Sequence, residues 1–418
     1  MTDSGRLFMD ISYTRTQPGN VGITRTVREL FRALESSAGC TPVIFHRSGY
    51  RQLSASESLN GSAPAGRRKK GNAATGLFRW LNAAPVRRFA SLIPLPILRR
   101  CWEFSNRLTF NAMAAEATPL EFRRGDRLIL ADQSWNYPAW NAALAARSQG
   151  AAVVLVIYDL IPLRQPQFCD PLFTEVFRRW LPRMLECSDA VVCISAATED
   201  ELRRWCAEHG QGLPRTAHFR LGSDLPGGGQ GSIRADLADF VAVTEPFFAA
   251  IGTIEPRKNH QLLLAAFEQL WKEGLPARLV IAGRPHPQCN NMVEALKAHP
   301  QQGRLLRTVW DATDAEVALV YAQCRALVFP SLAEGFGLPL VEARSRGCPV
   351  IASDLPALIE IADEGVFFFR GDKLENLVAV LREHLARDHH VVAGTMKSFS
   401  WDDSAAEFIG VLGKLQDS

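Results

Sequence analysis

Short apolar runs recur along this chain at intervals that leave room for a helix between them. In the N-terminal half they cover residues 7–11, 42–46, 127–131, 153–157 and 190–194. In the C-terminal half they cover residues 247–251, 278–282, 326–329, 349–352 and 366–369. Runs of this length that are mostly apolar, without a regular alternation of polar residues, are typical of strands buried on both faces, as in a parallel sheet. The pattern therefore predicts an α/β fold built on two parallel sheets.

The length of the chain and one glycine-rich segment indicate two domains. At 418 residues the chain exceeds what a single hydrophobic core serves. Residues 221–231 contain Asp224, Pro226 and three consecutive glycines, a composition typical of a linker. We therefore predict domains at residues 1–225 and 226–400, followed by a helix at residues 401–418.

Neither a membrane span nor a secretion signal is indicated. The longest uncharged apolar run, residues 151–157, is much shorter than a spanning helix, and the N-terminus lacks a basic stretch followed by an apolar one. The nine cysteines form no Cys-x-x-Cys pair and no cluster with zinc-site spacing, so we expect them to be reduced and mostly buried. These features together predict a cytoplasmic protein.

The net charge of +3 conceals one strongly basic segment. Residues 67–100 contain nine Lys or Arg and no Asp or Glu, so the rest of the chain is acidic. Apolar side chains such as Trp80 and Phe89 lie between these charges, as in segments that lie on an anionic bilayer. The segment belongs to a predicted insertion at residues 52–104. An alternative is a loop whose aromatic side chains pack on the N-terminal domain. Nucleic-acid binding is not indicated, because no nucleic-acid-binding motif accompanies the charges.

Two glutamates lie eight residues apart around a Gly-Phe-Gly turn. Glu334 precedes the turn, and Glu342 follows Pro339, whose fixed φ suits the start of a helix. We predict that Glu342 lies in the first turn of that helix. The amides of residues 335–338 then have no partner within the helix, which favours an anion such as phosphate. Glutamates on either side of a phosphate can bind hydroxyl groups, the layout of a nucleotide-sugar.

This segment resembles the Glu-x7-Glu motif of retaining glycosyltransferases of family 4. Three further segments match the same family, residues 158–163, 252–260 and 281–284, and the match is densest over residues 247–369. The resemblance implies the GT-B fold, in which two Rossmann-like domains face each other across a central cleft and the last helix returns to the N-terminal domain. It also implies a nucleotide-sugar substrate, transfer with retention of the anomeric configuration and no metal cofactor, and no Asp-x-Asp tripeptide occurs in the sequence.

The resemblance assigns the donor side of the site to the C-terminal domain. Arg257 and Lys258 are expected to stabilise the departing diphosphate, because fixed cations favour a transition state that gains negative charge. Glu334 is expected to contact the sugar and Glu342 the ribose. An exposed basic turn capped by Asn259 is the alternative for the two cations. The other expected donor-binding residues of this domain are Gly252, Thr253, Gly283, Arg284, Gly335, Phe336, Gly337 and Leu338.

One further donor-binding residue is expected in the N-terminal domain. Residues 19–25 are predicted to form a loop before a helix that begins at Thr26, and the resemblance implies that Gly22 lets the backbone of this loop approach the donor. An ordinary strand-to-helix turn is the alternative for Gly22.

The acceptor side is expected at Tyr158 and Asp159, which follow the run at residues 153–157. Asp159 is the candidate to orient the acceptor hydroxyl or accept its proton. Tyr158 stands where relatives often have a histidine. The alternative for Asp159 is a strand-end residue that caps the next turn. Ser195 is expected to cap a helix rather than to react.

The Glu-Pro-Arg-Lys-Asn pattern at residues 255–259 resembles mannosyltransferases that build bacterial surface polysaccharides such as O-antigen, capsule or exopolysaccharide. The leading hypothesis is therefore transfer of mannose from GDP-mannose to a lipid-carried oligosaccharide at the inner face of the membrane. A UDP-sugar donor or a soluble acceptor is one alternative. An inactive sugar-nucleotide-binding or scaffold protein is another, against which the intact charged residues argue.

Overall fold

The computed structural model of the chain describes residues 5–17, 22–53, 94–115, 117–224, 231–387 and 396–417. The chain divides into two compact units, Met1–Arg220 with Trp401–Ser418, and Leu221–Ser400. The first division falls at 220/221 rather than at the predicted 225/226. The glycine run of the predicted linker lies outside the described residues.

The first unit is built on an eight-stranded sheet in the order β4-β3-β2-β1-β5-β6-β7-β8. Strands β2, β1, β5, β6, β7 and β8 are parallel, whereas β3 and β4 pair antiparallel at one edge. The central strands carry apolar side chains on both faces because helices cover both sides of the sheet. The strands are β1 Leu7–Asp10, β2 Thr41–His46, β3 Gly49–Gln52, β4 Thr118–Pro119, β5 Arg127–Leu130, β6 Ala152–Ile157, β7 Ala190–Cys193 and β8 Arg215–His218.

Several helices of this unit begin at recognisable capping residues. Asp170 accepts hydrogen bonds from the amides of Leu172 and Phe173, and Ser195 accepts one from Thr198, which confirms the predicted capping role of Ser195. The helices are α1 Gly22–Ala38, α2 Leu95–Met113, α3 Ala139–Ser148, α4 Ile161–Arg164, α5 Pro171–Cys187 and α6 Ala196–His209.

The second unit is built on a six-stranded, wholly parallel sheet in the order β11-β10-β9-β12-β13-β14. The strands are β9 Phe247–Ile251, β10 Arg278–Ala282, β11 Leu306–Val309, β12 Leu327–Phe329, β13 Val350–Ser353 and β14 Val366–Phe369. The helices are α7 Ala235–Val241, α8 His260–Lys272, α9 Asn290–Lys297, α10 Asp314–Gln323, α11 Leu338–Arg344, α12 Pro356–Glu360 and α13 Leu374–Ala386.

The last helix, α14 Trp401–Asp417, belongs to the first unit and packs against α1. The ring of Phe408 lies edge-on to that of Phe219, with 4.9 Å between the ring centroids. The guanidinium of Arg215 donates a hydrogen bond of 2.7 Å to the carbonyl of Leu415. Apolar burial and these contacts attach the C-terminal helix to the N-terminal sheet.

All ten predicted strands are present, and their ends fall within one residue of the prediction. The sequence missed β3, β4, β8 and β11. These strands lie at or next to a sheet edge and include polar residues, so they lack the continuous apolar run of a buried strand. Residues 22–25 were also predicted as loop but form the first turn of α1.

Much of the basic segment, residues 67–93, lies outside the described residues, and residues 95–100 begin α2. In the described part of the chain, no helix is both long and apolar enough to cross a membrane. All nine cysteines are free, and six of them are buried, as predicted.

Candidate functional site

One carboxylate and two cationic side chains meet at the carboxyl ends of β9 and β12, which are neighbours in the second sheet. Arg257 and Lys258 lie on the short helical turn Pro256–Lys258 after β9, and Glu334 lies on the loop after β12. Lys258 Nζ is 2.5 Å from Glu334 Oε1, and an Arg257 guanidinium nitrogen is 2.8 Å from Glu334 Oε2. The fold thus joins three of the predicted catalytic residues in one ion cluster.

Backbone contacts fix the two loops that carry this cluster. The guanidinium of Arg257 donates a hydrogen bond of 2.9 Å to the carbonyl of Ala333, and the amide of Leu332 donates one of 2.7 Å to the carbonyl of Arg257. A second carboxylate, Glu255, lies 2.7 Å from the Arg257 guanidinium. These contacts hold the cations in place before any ligand binds, which is the preorganisation that electrostatic catalysis requires.

The ion cluster is largely shielded from water. The exposed fraction of the side chain is 7% for Glu334, 10% for Lys258 and 23% for Arg257. Burial alone would raise the pKa of Glu334, but the charges of Arg257 and Lys258 outweigh it and lower that pKa to about 2. Glu334 is therefore ionised at neutral pH and can only accept hydrogen bonds.

Lys258 is also in contact with an aromatic ring. Its ammonium group lies 4.4 Å from the ring centroid of Phe329, the last residue of β12. Asn259 has a left-handed backbone, and its side chain accepts a hydrogen bond from the amide of Leu262 at the start of α8. The alternative prediction for the two cations was an exposed basic turn capped by Asn259. The cap by Asn259 is present, but the prediction of an exposed turn is wrong, because Lys258 is buried.

Glu342 lies on α11 and is buried, where it accepts a hydrogen bond of 3.2 Å from the hydroxyl of Tyr321 on α10. It is the fifth residue of that helix, not part of the first turn as predicted, because the helix begins one residue before Pro339. Tyr321 was missed by the sequence, since one tyrosine in a largely apolar helix carries no signal of a site.

The start of α11 depends on a glycine. Gly337 has φ of 111° at the N-cap position, and a Cβ atom there would lie 2.4 Å from Leu358 Cδ2. A side chain at this position would therefore require both a strained backbone and a displaced neighbour. Phe336, just before it, is buried, whereas Leu338 is partly exposed. Gly335 lies in the same loop and is buried.

A buried arginine holds the other end of α11. Arg344 donates hydrogen bonds of 2.8 and 3.1 Å to the two carboxylate oxygens of Asp363, and one of 3.1 Å to the carbonyl of Cys348. A Cβ atom on Gly365 would lie 2.1 Å from its guanidinium carbon, so only glycine leaves room for it. Arg344 was not identified from the sequence, and it positions the helix that carries Glu342.

Four predicted donor-binding residues lie on two touching loops beside the ion cluster. Gly252 and Thr253 follow β9, and Gly283 and Arg284 follow β10, its other neighbour in the sheet. The amide of Ile254 donates a hydrogen bond of 2.9 Å to the carbonyl of Arg284. A Cβ atom on Gly283 would lie 1.8 Å from the Gly252 carbonyl oxygen, which explains the glycine.

Arg284 itself points to an exposed position. Its guanidinium lies 2.8 Å from Asp311 Oδ1, and half of its side chain is exposed. Thr253 is partly exposed. The structure thus brings the predicted donor-binding loops together, and their contacts with a donor remain a prediction.

His260 follows the ion cluster in the chain and closes the segment at residues 252–260 that resembles the family, but the sequence assigns it no role. It is buried as the first residue of α8, and its Nδ1 has no hydrogen-bond partner among the described residues. Burial, together with the nearby charge of Lys258, lowers its pKa to about 4. The imidazole is therefore neutral at pH 7 and adds no positive charge to the cluster.

On the first unit, Tyr158 and Asp159 follow β6 as predicted. Tyr158 is buried, and its hydroxyl donates a hydrogen bond of 2.7 Å to the carbonyl of Ala131. Asp159 is partly exposed and accepts one of 3.0 Å from the amide of Ile161 at the start of α4. The turn-capping alternative for Asp159 is therefore present. The action of either residue on an acceptor stays a prediction.

Gly22 is the first residue of α1, with φ of 55°. A Cβ atom there would meet no described atom within 4 Å, so packing does not require the glycine. Residues 18–21, which precede it, lie outside the described residues. Its predicted approach to a donor therefore also stays a prediction.

Two buried carboxylates at the carboxyl edge of the first sheet were missed by the sequence. Asp10 ends β1 and accepts hydrogen bonds from the Ser12 amide, at 3.0 Å, and from the Tyr137 hydroxyl. Asp132 follows β5 and accepts bonds of 2.8 Å from both the amide and the hydroxyl of Thr14. Burial and the charge of Asp10 raise the pKa of Asp132 to about 7. These bonds anchor the loop after β1. The available signal was the position of Asp132, directly after the run at residues 127–131, and of Asp10, the one charged residue in the run at residues 7–11.

Metal ligation finds no support in the described part of the chain, where no three His, Cys, Asp or Glu side chains are grouped to hold an ion. The positive charge near Glu334 comes instead from Arg257 and Lys258.

Comparison with protein families covers most of the chain. Residues 21–211 match the "Glycosyl transferase 4-like domain", and residues 237–391 match "Glycosyl transferases group 1". The chain belongs to the glycosyltransferase family that these two models describe. The predicted family is thus confirmed, and the Glu334 ion cluster lies within the group 1 region of the glycosyltransferase.

The most similar curated relatives found include mannosyltransferases. The chain is 32% identical over 327 residues to the "Serotype-specific mannosyltransferase WbdA" of Escherichia coli, which covers 74% of this chain but 40% of the relative. It is 29% identical over 166 residues to the "O-antigen chain mannosyltransferase B" of E. coli, covering 38% of this chain and 43% of the relative. The chain spans about 40% of the length of the WbdA relatives it matches.

Solved structures show the same fold. A sucrose-phosphate synthase from Thermosynechococcus elongatus superposes with a TM-score of 0.62 at 19% identity and covers 99% of each chain. A glycosyltransferase from Rickettsia africae superposes with a TM-score of 0.58 at 14% identity and covers 100% of each chain. The predicted fold class, GT-B with two Rossmann-like domains, is confirmed.

Proposed function

We propose that this glycosyltransferase transfers mannose from GDP-mannose to an oligosaccharide carried on a lipid, with retention of the anomeric configuration. The observation that carries the proposal is the buried ion cluster of Glu334, Arg257 and Lys258. The names of the relatives, a serotype-specific mannosyltransferase and O-antigen chain mannosyltransferases, support mannose as the sugar and a bacterial surface polysaccharide as the product.

The two cations supply the main catalytic effect in this proposal. As the bond between the sugar and the diphosphate breaks, negative charge builds up on the departing phosphate oxygen. Arg257 and Lys258 are already fixed and poorly exposed, so they stabilise that charge without reorganisation. Neither group transfers a proton.

The two glutamates position the donor. Glu334 remains ionised and accepts hydrogen bonds from sugar hydroxyls while it shares the cations with the diphosphate. Glu342 accepts hydrogen bonds from the ribose, with Tyr321 fixing its carboxylate. Gly252, Thr253, Gly283, Arg284 and residues 335–338 line the donor side in this proposal.

Transfer takes place on one face of the sugar. The bond from C1 to the phosphate oxygen breaks as the bond from C1 to the acceptor oxygen forms. The acceptor proton passes to the departing phosphate oxygen, so no enzyme carboxylate has to attack C1. Asp159 orients the acceptor hydroxyl in this proposal, and Tyr158 supports the strand end that carries it.

The proposal needs neither a metal ion nor another cofactor, since Arg257 and Lys258 neutralise the diphosphate. It places the enzyme in the cytoplasm, at the inner face of the membrane, where a lipid-linked acceptor is accessible. Residues 67–100 would contribute through their basic charge, although residues 67–93 lie outside the described residues. No nucleic-acid partner is proposed.

A donor screen followed by product analysis tests this function. Thermal shift is measured with GDP-mannose and with UDP-, dTDP- and ADP-sugars, because a ligand that binds the folded state raises apparent stability. The anomeric configuration of the product is then read by NMR, with and without EDTA. We expect the largest shift with GDP-mannose and an α-linked product whose yield EDTA leaves unchanged. A larger shift with a UDP-sugar or a β-linked product would contradict the proposal.

A further inference from the structure

A groove of about 280 Å³ lies beside α2 on the first unit. Arg100, Phe104 and Arg107 of α2 form one wall, and Phe45 and Arg47, at and just after the end of β2, form another. The start of α3 completes it. Because β2 ends here and the loop after β5 leads into α3, the groove is at the carboxyl edge of the parallel strands, where open α/β sheets bind ligands.

The groove carries an excess of positive charge. Among the described residues, the guanidinium groups of Arg47, Arg100 and Arg107 have no acidic partner within ion-pair distance. The one acid in the lining, Glu103, is 3.5 Å from Arg99, which also lies 2.9 Å from Glu175. The lining therefore carries three arginines against one glutamate, and this excess of positive charge suits a ligand with at least one phosphate.

An exposed apolar surface lies next to these cations. Ile97, Phe104 and Leu108 on α2 are 52%, 65% and 55% exposed. Their spacing of seven and then four residues places them on one face of the helix. Arg100 lies three residues after Ile97 and four before Phe104, and Arg107 lies three after Phe104, so both arginines fall on the same side. A soluble phosphate would satisfy the arginines but leave this apolar surface in water.

We propose that the groove binds the phosphate of an anionic membrane lipid, with the lipid chains against Ile97, Phe104 and Leu108. One guanidinium group can donate two parallel hydrogen bonds to two oxygens of a phosphate. The apolar side chains would enter the boundary between the lipid headgroups and the acyl chains. The proposal goes beyond the transfer reaction, since it holds for any sugar donor. It also adds a defined lipid contact, at α2 and Arg47, to the contribution proposed above for the basic charge of residues 67–100.

Vesicle binding by the full chain tests this site. Sedimentation is measured with vesicles of phosphatidylglycerol and phosphatidylcholine, and with phosphatidylcholine alone. We expect Arg100→Gln/Arg107→Gln to weaken binding to the anionic vesicles about 25-fold, since each basic side chain at such a surface contributes about fivefold. Phe104→Ser/Leu108→Ser should remove the binding that persists at high salt.

Arg123→Gln/Arg124→Gln is the matched control. It removes the same charge, but from exposed residues just before β5, at the opposite edge of the sheet. We expect it to bind vesicles as the wild type does, and we expect all variants to keep the wild-type thermal shift with nucleotide-sugar. Equal losses from the two arginine pairs, or no loss from Arg100→Gln/Arg107→Gln, would overturn the proposal.

A soluble ligand is distinguished by calorimetry with inorganic phosphate and glycerol phosphate. We expect no difference between wild type and Arg100→Gln/Arg107→Gln at millimolar concentrations of these anions. Loss of soluble phosphate binding with unchanged vesicle binding would assign the groove to a soluble anion and reject the lipid. If either experiment rejects the lipid site, the proposed mannosyl transfer is unaffected, because these variants leave the donor-binding residues unchanged.

Discussion

Lys258 and Glu334 are 76 positions apart in the chain, yet Lys258 Nζ lies 2.5 Å from Glu334 Oε1. The contact exists because β9 and β12 are neighbours in the sheet, so the loops that follow them meet at its carboxyl edge. A buried ammonium group is costly unless a partner offsets its desolvation, and Glu334 does this here. The same carboxylate also binds Arg257, so one acid fixes both cations for which we propose a catalytic role.

Replacement of Lys258 by Ala should reduce transfer. We expect kcat/KM to fall, with a rise of about 2–4 kcal/mol in the activation free energy derived from it, because the lost charge acts most strongly as the diphosphate departs. Steady-state transfer assays measure this loss, and circular dichroism checks that the variant is folded. The control is Lys297→Ala, which removes an exposed lysine paired with Glu294. Normal kinetics in Lys258→Ala would reduce the cluster to a structural ion pair.

The two glutamates should have different kinetic signatures. Glu342→Gln is expected mainly to weaken nucleotide binding, since it replaces a charged acceptor of ribose hydrogen bonds. Glu334→Gln is expected mainly to lower turnover, because the donor sugar and both cations lose their common contact. Calorimetry with GDP and initial-rate assays separate the effects. Equal losses of GDP affinity in both variants would contradict this division of roles.

Glu334 should also make stability depend on pH in the acid range. Its pKa is about 2 in the folded protein and ordinarily 4.5, so its stabilising contribution is fully present above pH 4.5 and disappears as the pH falls toward 2. Between pH 5 and 2, the unfolding free energy of the wild type should fall by on the order of 3 kcal/mol relative to Glu334→Gln.

Denaturant unfolding at a series of pH values measures this difference. Glu294→Gln is the control, because Glu294 is 72% exposed and its ion pair with Lys297 is at the surface. That variant should follow the wild type throughout. A constant difference between wild type and Glu334→Gln from pH 5 to 2 would show that Glu334 is not held as an ion by its neighbours.

Gly337 should be sensitive to a single methyl group. Gly337→Ala forces alanine into a φ of 111° and places its Cβ against Leu358, so we expect a loss of about 2–3 kcal/mol in unfolding free energy. Gly274→Ala is the control, because Gly274 also has a positive φ, of 74°, but has open space around it. Thermal or denaturant unfolding compares the two. Equal losses would mean that only backbone strain matters at Gly337.

The fold could be predicted largely from apolar runs. A run such as residues 278–282 is buried on both faces of a parallel sheet, so burial alone specifies the strand and its ends. Edge strands such as Arg215–His218 could not be predicted this way, because three of these four residues are polar and none of the four is fully buried. Their position depends on pairing with a neighbour that is distant in the sequence.

The site was predictable where residue type and local spacing carry the chemistry, as at Glu334, Arg257 and Lys258. The pairing of Glu334 with both cations was not, since it depends on which strands are adjacent. Tyr321 and Arg344 were missed for the same reason, because each acts through a partner on another element. The place of Glu342 in its helix was wrong because Gly337, not Leu338, occupies the cap.

Binding of the donor diphosphate by Lys258 and Arg257 is the step on which the proposed function depends most. Calorimetry with GDP and GMP, on the wild type and on Lys258→Ala, tests it through a cycle that removes the β-phosphate and the lysine separately and together. We expect the wild type to prefer GDP to GMP and most of this preference to disappear in Lys258→Ala. An unchanged preference for GDP in Lys258→Ala would contradict it.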